Sequence, residues 1–169
     1  MDQIEFLRER FRFDEWKDAN RLDHELELHD IAVPEGVLPG LEAGRVRRID
    51  PGDGTRLLRA SWFMADDRDA MIVMDIRECP SRTAAHEVLL ELLANIQSPH
   101  VERLTEDAPG DVAFSSGSSA GLIFARGNVV VRVANGGARL VPVTPIAREI
   151  DTWLVEGTGS ATPLGPAAA

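Results

Sequence analysis

The sequence predicts an α+β fold, with an antiparallel sheet of about five or six strands, packed helices and a helical N-terminal arm. Short segments of alternating apolar residues flank polar turns, as in antiparallel hairpins. Residues 82–97 repeat apolar side chains with the period of an amphipathic helix. A chain of 169 residues suits one core. We expect a single domain over residues 1–155, with the arm at 1–30 and the sheet and helices at 45–155, followed by a disordered tail over 156–169.

The arm is rich in charges and aromatic side chains. Ile4, Leu7 and Phe11 are spaced i, i+3, i+7, which predicts one apolar stripe on a short helix. A second short helix is expected over residues 14–21. The leucines at positions 22, 26 and 28 fit a continued helix or the start of a strand. Proline and glycine predict a loop over residues 34–44.

The first hairpin is predicted from residues 56–64 and 70–78 around a polar loop at 65–69. Alternation assigns one face of these strands to the core. Ser81 is the expected N-cap of the helix over residues 82–97, because its hydroxyl can accept a hydrogen bond from a backbone N–H group of the first turn. The apolar positions of that helix define one wide stripe, and His86 falls on its polar side.

The second hairpin is predicted from residues 121–126 and 129–134. Glycine in the first central position of Gly127-Asn128 favours a type II′ turn, which places Phe124 opposite Val131. Short strands at 111–114 and 139–143 and a helix from Thr144-Pro145 to about residue 155 complete the pattern. Hairpin followed by helix occurs twice, which makes an internal duplication a hypothesis.

The second face of these strands mixes apolar and charged side chains. If this face were fully covered, its arginines would be buried without partners. If it were fully exposed, it would form a large apolar patch on the surface. We expect the N-terminal arm to cover it in part, with dimerisation or a protein partner as the alternative. The full set is Leu57, Arg59, Phe63, Met71, Val73, Asp75, Arg77, Ile123, Val130 and Arg132. The predicted interaction surface within it is Arg59, Phe63, Met71, Val73, Asp75, Arg77 and Arg132.

Composition narrows the function classes. The 18 basic and 28 acidic residues give a net charge of −10, which disfavours binding of nucleic acid or anionic lipid and favours a basic partner. No apolar run is long enough to span a membrane. One cysteine, Cys79, allows no internal disulfide. Lys17 is the only lysine among the 18 basic residues, and this preference for arginine indicates a biased genome composition rather than a functional need for arginine. We expect a cytoplasmic bacterial protein.

Three motifs suggest chemistry, and none has the context that the chemistry needs. Gly117-Ser118-Ser119-Ala120-Gly121 matches the nucleophile-elbow pattern, but a strand follows the serine and no histidine comes after His100. His24 and His29 are five residues apart, which separates them on a helix and on a strand. Asp66, Asp67 and Asp69 lack the spacing of a calcium loop. We therefore predict no catalytic residues, no metal and no cofactor.

The sequence favours a non-catalytic protein-binding or accessory protein, for example an inhibitor, an immunity-type protein or a secretion accessory factor. The alternative is a small enzyme or ligand-binding domain whose site is assembled from distant residues. Its candidates are His86, Asp75, Arg77 and Arg132. A deep polar pocket containing a histidine would favour this alternative, and a flat patch without a pocket would favour the binding protein.

Overall fold

A computed structural model describes residues 2–19, 22–28, 31, 33, 36–96, 98, 100–116 and 120–157. Within this part the fold is α+β, as predicted, and its antiparallel sheet has seven strands rather than five or six. The strands are β1 (Leu41–Ile49), β2 (Arg56–Met64), β3 (Asp67–Glu78), β4 (Glu102–Leu104), β5 (Val112–Ser115), β6 (Gly121–Arg126) and β7 (Val129–Asn135). The helices are α1 (Gln3–Arg10), α2 (Arg82–Asn95) and α3 (Val143–Thr152), with a 3₁₀ helix at Phe13–Ala19 and a π-helical turn at Trp153–Gly157.

The strand order is β1-β2-β3-β7-β6-β5-β4. The sheet therefore consists of two meanders, β1 to β3 and β4 to β7, which join where β3 pairs with β7. The two hairpins have the predicted partners, and Phe124 lies opposite Val131. The first hairpin turns more tightly than expected, because β3 already starts at Asp67.

Helices cover both faces of the sheet over β6 and β7. On the first face α3 packs through Ile146 and Ile150, and on the second face α2 packs through Leu89 and Leu93. This explains the continuous apolar sequences of β6 and β7, which are typical of strands buried on both sides. A twofold repeat about the β3–β7 junction would place both helices on one face. Their positions therefore do not support the duplication hypothesis.

The N-terminal segments supply the remaining cover. Leu26, Leu28 and Leu38 extend the core on the first face without forming a helix or strand. On the second face, Phe11 and Trp16 pack with α2 and β5.

Other expected elements differ in position. Two strands were not predicted. β1 begins inside the predicted loop over 34–44 and continues beyond it, and β4 lies where no strand was expected. Residues 139–143 form no strand, and α3 begins at Val143 rather than after a Thr144 cap. The Ser81 cap is confirmed, since its hydroxyl accepts a 3.1 Å hydrogen bond from the Ala84 N–H group. Residues 158–169 of the predicted tail lie outside the described residues.

Polar side chains connect the β6–β7 turn to other segments through hydrogen bonds and ion pairs. Gly127 has a positive φ of 55° and Asn128 does not, as a type II′ turn requires. Arg126 donates to Asp151 at 2.7 Å and to Asp111 at 2.8 Å, and the Asp111 side chain is fully buried. Burial alone lowers the pKa of Arg126, but the hydrogen bonds and charges of Asp151 and Asp111 raise it.

Candidate functional site

The predicted interaction surface lies on one side of β2, β3 and β7. Strand register places its residues on the second face of the sheet, beyond the edge of α2, together with Arg47 of β1 and Ser61 of β2. We call this surface the open face. Its residues are exposed or half-buried, and they are Arg47, Arg59, Ser61, Phe63, Met71, Val73, Asp75, Arg77 and Arg132.

A line of charged residues crosses the open face from strand to strand. Arg47 pairs with Arg59, Arg59 with Asp75, and Asp75 with Arg132, so four directly opposed positions share one side of the sheet. We call these four residues the arginine row. The row holds three guanidinium groups and one carboxylate, and it is therefore electropositive within a chain of net charge −10.

Asp75 organises the arginine row. It accepts two hydrogen bonds from Arg59, 2.7 Å from Nε and 2.9 Å from a terminal nitrogen, and Arg132 lies 3.9 Å from its second oxygen. These hydrogen bonds and the charge of Asp75 raise the pKa of Arg59. Arg47 forms no ion pair with any described residue. Asp75 thus holds the Arg59 side chain in one orientation. Arg47 and the roughly half-exposed Arg132 can still bind an anion from solution or from a partner.

Arg77 adds a fourth positive charge beside the row. One of its terminal nitrogens lies 3.8 Å from a carboxylate oxygen of the half-exposed Asp53. A contact of this length with an exposed partner contributes little to stability, since solvent screens it. The charge of Arg77 is therefore also available to a bound group.

The other end of the open face is apolar. Phe63, Met71 and Val73 are half-buried there, and they belong to neither core cluster among the described residues. The ring of Phe63 lies against Gly44 of β1, where a Cβ atom would come within 2.6 Å of it. The absence of a side chain at Gly44 leaves room for this ring beside the edge strand. The open face therefore offers apolar contact next to positive charge.

A groove separates the open face from the C-terminal end of α2. Its larger part has a volume of about 290 Å³, and an adjoining part has about 260 Å³. Arg132, Ile96 and Ile123 line both parts, so these residues lie where the two parts meet. The larger part is lined by Leu57, Arg59, Asp75, Arg77, Leu92, Asn95, Ile96, Ile123, Val130 and Arg132.

The described residues of the N-terminal arm pack away from the open face. Phe11 and Trp16 pack on Phe114, with ring centroids 4.8 and 5.4 Å away, at the β5 side of the sheet. Of the predicted face, Ile123 and Val130 are buried in the same cluster as Phe11 and Trp16, so partial cover by the arm is confirmed there.

The expectation that the arm also shields Phe63 and Val73 is wrong, since these residues belong to neither core cluster. The aromatic residues of the arm find burial against α2 instead.

His86 is not the exposed residue that the helical stripe predicts. Its side chain is buried beneath Phe13 and Trp16, and its Nε2 atom has no hydrogen-bond partner in the described structure. Burial lowers the pKa of His86, while Asp111 acts in the opposite direction. Asp75, Arg77 and Arg132 come together in the groove, but His86 does not join them. The residues proposed for an enzyme site therefore separate into two places.

The cysteine, the aspartate loop and the histidine pair singled out in the sequence show no arrangement typical of a reactive or metal-binding site among the described residues. Burial raises the pKa of the Cys79 thiol to about 12, so it is not a ready nucleophile. Asp67 accepts a hydrogen bond from the Asp69 backbone and pairs with Arg139. His24 contacts Asp23 at the surface. Ser119 and His29 lie outside the described residues. Among those described, no three histidine, cysteine or acidic side chains converge as metal ligands.

Sequence reasoning missed Arg47 and the part of the groove that α2 supplies. Arg47 belongs to β1, whose residues show little alternation, so no strand was predicted there. The apolar stripe assigns Leu92 wholly to the core, but Leu92 also lines the groove where the cover that α2 provides comes to an end. The exposed arginines among apolar strand residues were the available signal.

Comparison with protein-family models, curated proteins and solved structures gave no match to this chain. None of the described helices is long and apolar enough to cross a membrane.

Proposed function

We propose that this protein is a non-catalytic binding or accessory domain that takes up an acidic, partly apolar segment of another protein on its open face. The arginine row carries the proposal. Three arginines on an exposed sheet surface, in a strongly acidic chain, form a local site for carboxylates. The expectation of a basic partner concerns the net charge, whereas the open face favours an acidic one.

The apolar end of the open face supports a protein segment over a nucleic acid. Phe63, Met71 and Val73 suit apolar side chains, and leucine, isoleucine and valine make up half of the residues that line the larger part of the groove beside Arg132. A long polyanion would also meet the acidic remainder of the surface, which repels phosphate. A short acidic segment interacts mainly with the local charge.

A second copy of the chain is a poorer occupant of this face. Two open faces in contact would bring arginine rows together, and like charges at close range cost free energy. Homodimerisation through this surface is therefore not part of the proposal. A cytoplasmic bacterial setting remains part of it, and the lone buried thiol of Cys79 is compatible with a reducing compartment.

The enzyme alternative loses the histidine among its four candidate residues. The described groove lining contains Asp75, Arg77 and Arg132, but His86 lies beneath the arm. The guanidinium groups of the groove can therefore bind and orient an anion. This arrangement supports ligand binding rather than catalysis.

Photocrosslinking in the source cell tests the proposed function. A benzophenone amino acid replaces Phe63 on the open face, and in a control it replaces Leu140, which is 63% exposed elsewhere. We expect the first probe to capture a protein segment rich in aspartate and glutamate. Arg132→Glu should reduce this adduct at least fivefold, while the charge-matched Arg148→Glu on α3 should leave it unchanged.

Four outcomes would overturn the proposal. These are an adduct with nucleic acid, an adduct with a second copy of the chain, equal capture from position 140, and an adduct that is indifferent to Arg132→Glu. Mass spectrometry of the crosslinked peptide distinguishes them.

A further inference from the structure

The floor of the groove beside α2 consists of two rows of side chains that cross the sheet. One row continues the arginine row, because Arg132 of β7 lies opposite Ile123 of β6. The other row runs beside it, with Arg77 of β3 between Leu57 of β2 and Val130 of β7. Leu57, Ile123 and Val130 are buried. Each row therefore places guanidinium groups directly beside buried apolar side chains.

The arginine row ends where α2 begins to cover the sheet. Ile123 is 2% exposed and belongs to the core cluster that α2 forms through Leu89 and Leu93. Leu92 and Ile96, at the end of the helix, line the groove on this side, and both are half-buried. A chain that crosses the open face from β1 towards β7 therefore meets the helix at the groove, where it has to end or to turn away into solvent.

Two guanidinium groups of the groove are placed to bind one carboxylate. Arg77 lies two residues from Asp75, the residue opposite Arg132, so Arg77 and Arg132 are diagonal neighbours on adjacent strands. Diagonal neighbours are about 7–8 Å apart, within reach of long side chains. Asp75 already orients Arg59 through two hydrogen bonds, which leaves Arg77 and Arg132 for an outside anion. Arginine binds carboxylates through parallel hydrogen bonds of defined geometry.

We infer that the groove binds the C-terminal residue of the acidic partner segment, with the α-carboxylate on Arg77 and Arg132 and an apolar side chain against the floor. This inference rests on the proposed function and specifies which end of the segment reaches α2. A C-terminal leucine, isoleucine, valine, methionine or phenylalanine carries an anion and an apolar side chain on one Cα atom. The groove has the matching features on directly opposed residues, Arg132 and Ile123, whose Cβ atoms such pairing places about 4.5–5.5 Å apart.

Charge and size favour a C-terminal residue over other occupants of the groove. An N-terminus would bring an ammonium group to guanidinium groups, which repel it. The larger part of the groove has a volume of about 290 Å³. Ligand sites occupy about 300–1,000 Å³, so this volume suits a single residue rather than a helix or strand. An internal aspartate or glutamate would supply the charge, but its own side chain is not apolar and its chain would have to continue past α2.

Two displayed libraries of random twelve-residue peptides, with the full chain as bait, test the binding of a C-terminus. In the first library the peptides end in a free carboxylate, and in the second a fixed carrier sequence follows them. We expect the first library to yield sequences that are rich in aspartate and glutamate and end in an apolar residue. The best peptide is then synthesised as the free acid and as the C-terminal amide, and the amide should bind at least tenfold more weakly.

A substitution in the groove separates the terminal carboxylate from the rest of the segment. Arg77→Gln should weaken binding of the free acid at least fivefold and leave binding of the amide within twofold, because the amide lacks the charge that Arg77 binds. The matched control is Arg148→Gln on α3, where the guanidinium group donates to the Asp107 carbonyl oxygen, and it should change neither affinity. If Arg77→Gln does not fold, the comparison of acid and amide on the wild-type chain still decides.

Three outcomes would contradict this mode of binding. Acidic peptides that are lost in Arg132→Glu but bind equally as acid and amide would overturn it and leave the proposed function standing. N-acetyl-leucine that binds as tightly as the whole peptide would make a small carboxylate the occupant and overturn the C-terminal residue. If neither library yields a peptide whose binding is lost in Arg132→Glu, both the C-terminal residue and the proposed function are overturned.

Discussion

The side chain of Asn128 forms hydrogen bonds with both backbone polar groups of Leu26. Its Oδ1 accepts from the Leu26 N–H group at 2.6 Å, and its Nδ2 donates to the Leu26 carbonyl oxygen at 2.9 Å. The same Nδ2 donates to the Cys79 carbonyl oxygen at 3.1 Å. A turn residue thus supplies the bonds that a strand partner would give to an irregular buried segment.

Asn128→Ala should destabilise the protein by about 3 kcal/mol. The substitution leaves backbone groups of Leu26 and Cys79 buried without partners, and each such group costs about 1–3 kcal/mol. Urea unfolding measures the effect. Asn95→Ala is the control, because Asn95 is exposed and bonds only within α2 among the described residues. Equal midpoints for the two variants would contradict the role of Asn128.

Arg126→Ala should lower the free energy of unfolding by roughly 3–5 kcal/mol, since it leaves the buried Asp111 carboxylate without its cation. Arg139→Ala serves as the comparison. Arg139 pairs with Asp67 through a side chain that is 70% exposed, so its loss should cost less than about 1 kcal/mol. Chemical denaturation of both proteins gives the difference, and a small effect at Arg126 would show that water replaces its bonds.

Trp16→Ala should destabilise the fold by about 3–5 kcal/mol, the range for removing a buried tryptophan side chain. Trp16 is fully buried, and its Nε1 donates to the Phe11 carbonyl oxygen at 2.9 Å. Phe6→Ala, on the same arm, removes a ring that is 50% exposed and should have little effect. Thermal and urea unfolding compare the two. If neither variant loses stability, the arm is not part of the core.

Stability should fall as the pH drops below about 6.5 because of His86. Burial lowers the pKa of His86 below its ordinary value of 6.5, so the unfolded state takes up a proton at a higher pH than the folded state. The contribution of the neutral imidazole is complete above pH 6.5 and is lost as the pH falls towards the folded pKa. Urea midpoints between pH 7.5 and 5 measure it.

His86→Phe should flatten this part of the pH profile, since phenylalanine has no proton to bind. The exposed His100, replaced by glutamine, is the control and should leave the slope in place. An unchanged slope in His86→Phe would assign the effect to another group.

The sequence was sufficient for the hairpins because their alternation and turns are local signals. Phe124 and Val131 were paired correctly, since a two-residue turn determines register. β1 was missed because it lies at an edge. Backbone bonds to β2 hold this strand, and its exposed side chains carry no burial pattern. Strand alternation placed the charged and apolar residues of the open face on one side of the sheet. Arg47 was missed because its place on that side depends on β1, which was not predicted.

His86 shows why burial was harder to predict than secondary structure. The apolar stripe of α2 correctly identified the side that faces the sheet. The arm adds a second apolar layer on another side of the same helix, through Phe13 and Trp16. Contacts between segments about 70 residues apart leave no periodic signal in either one.

The two meanders have a consequence for the order of folding events. Each meander is built from hairpins that can close over short distances in the chain, but the β3–β7 ladder joins residue 78 to residue 129. Closing so large a loop costs more chain entropy than closing a hairpin, and such nonlocal contacts slow folding. We therefore expect the rate-limiting step to be the meeting of the two meanders, and substitutions at the β3–β7 junction to slow refolding more than substitutions in β1.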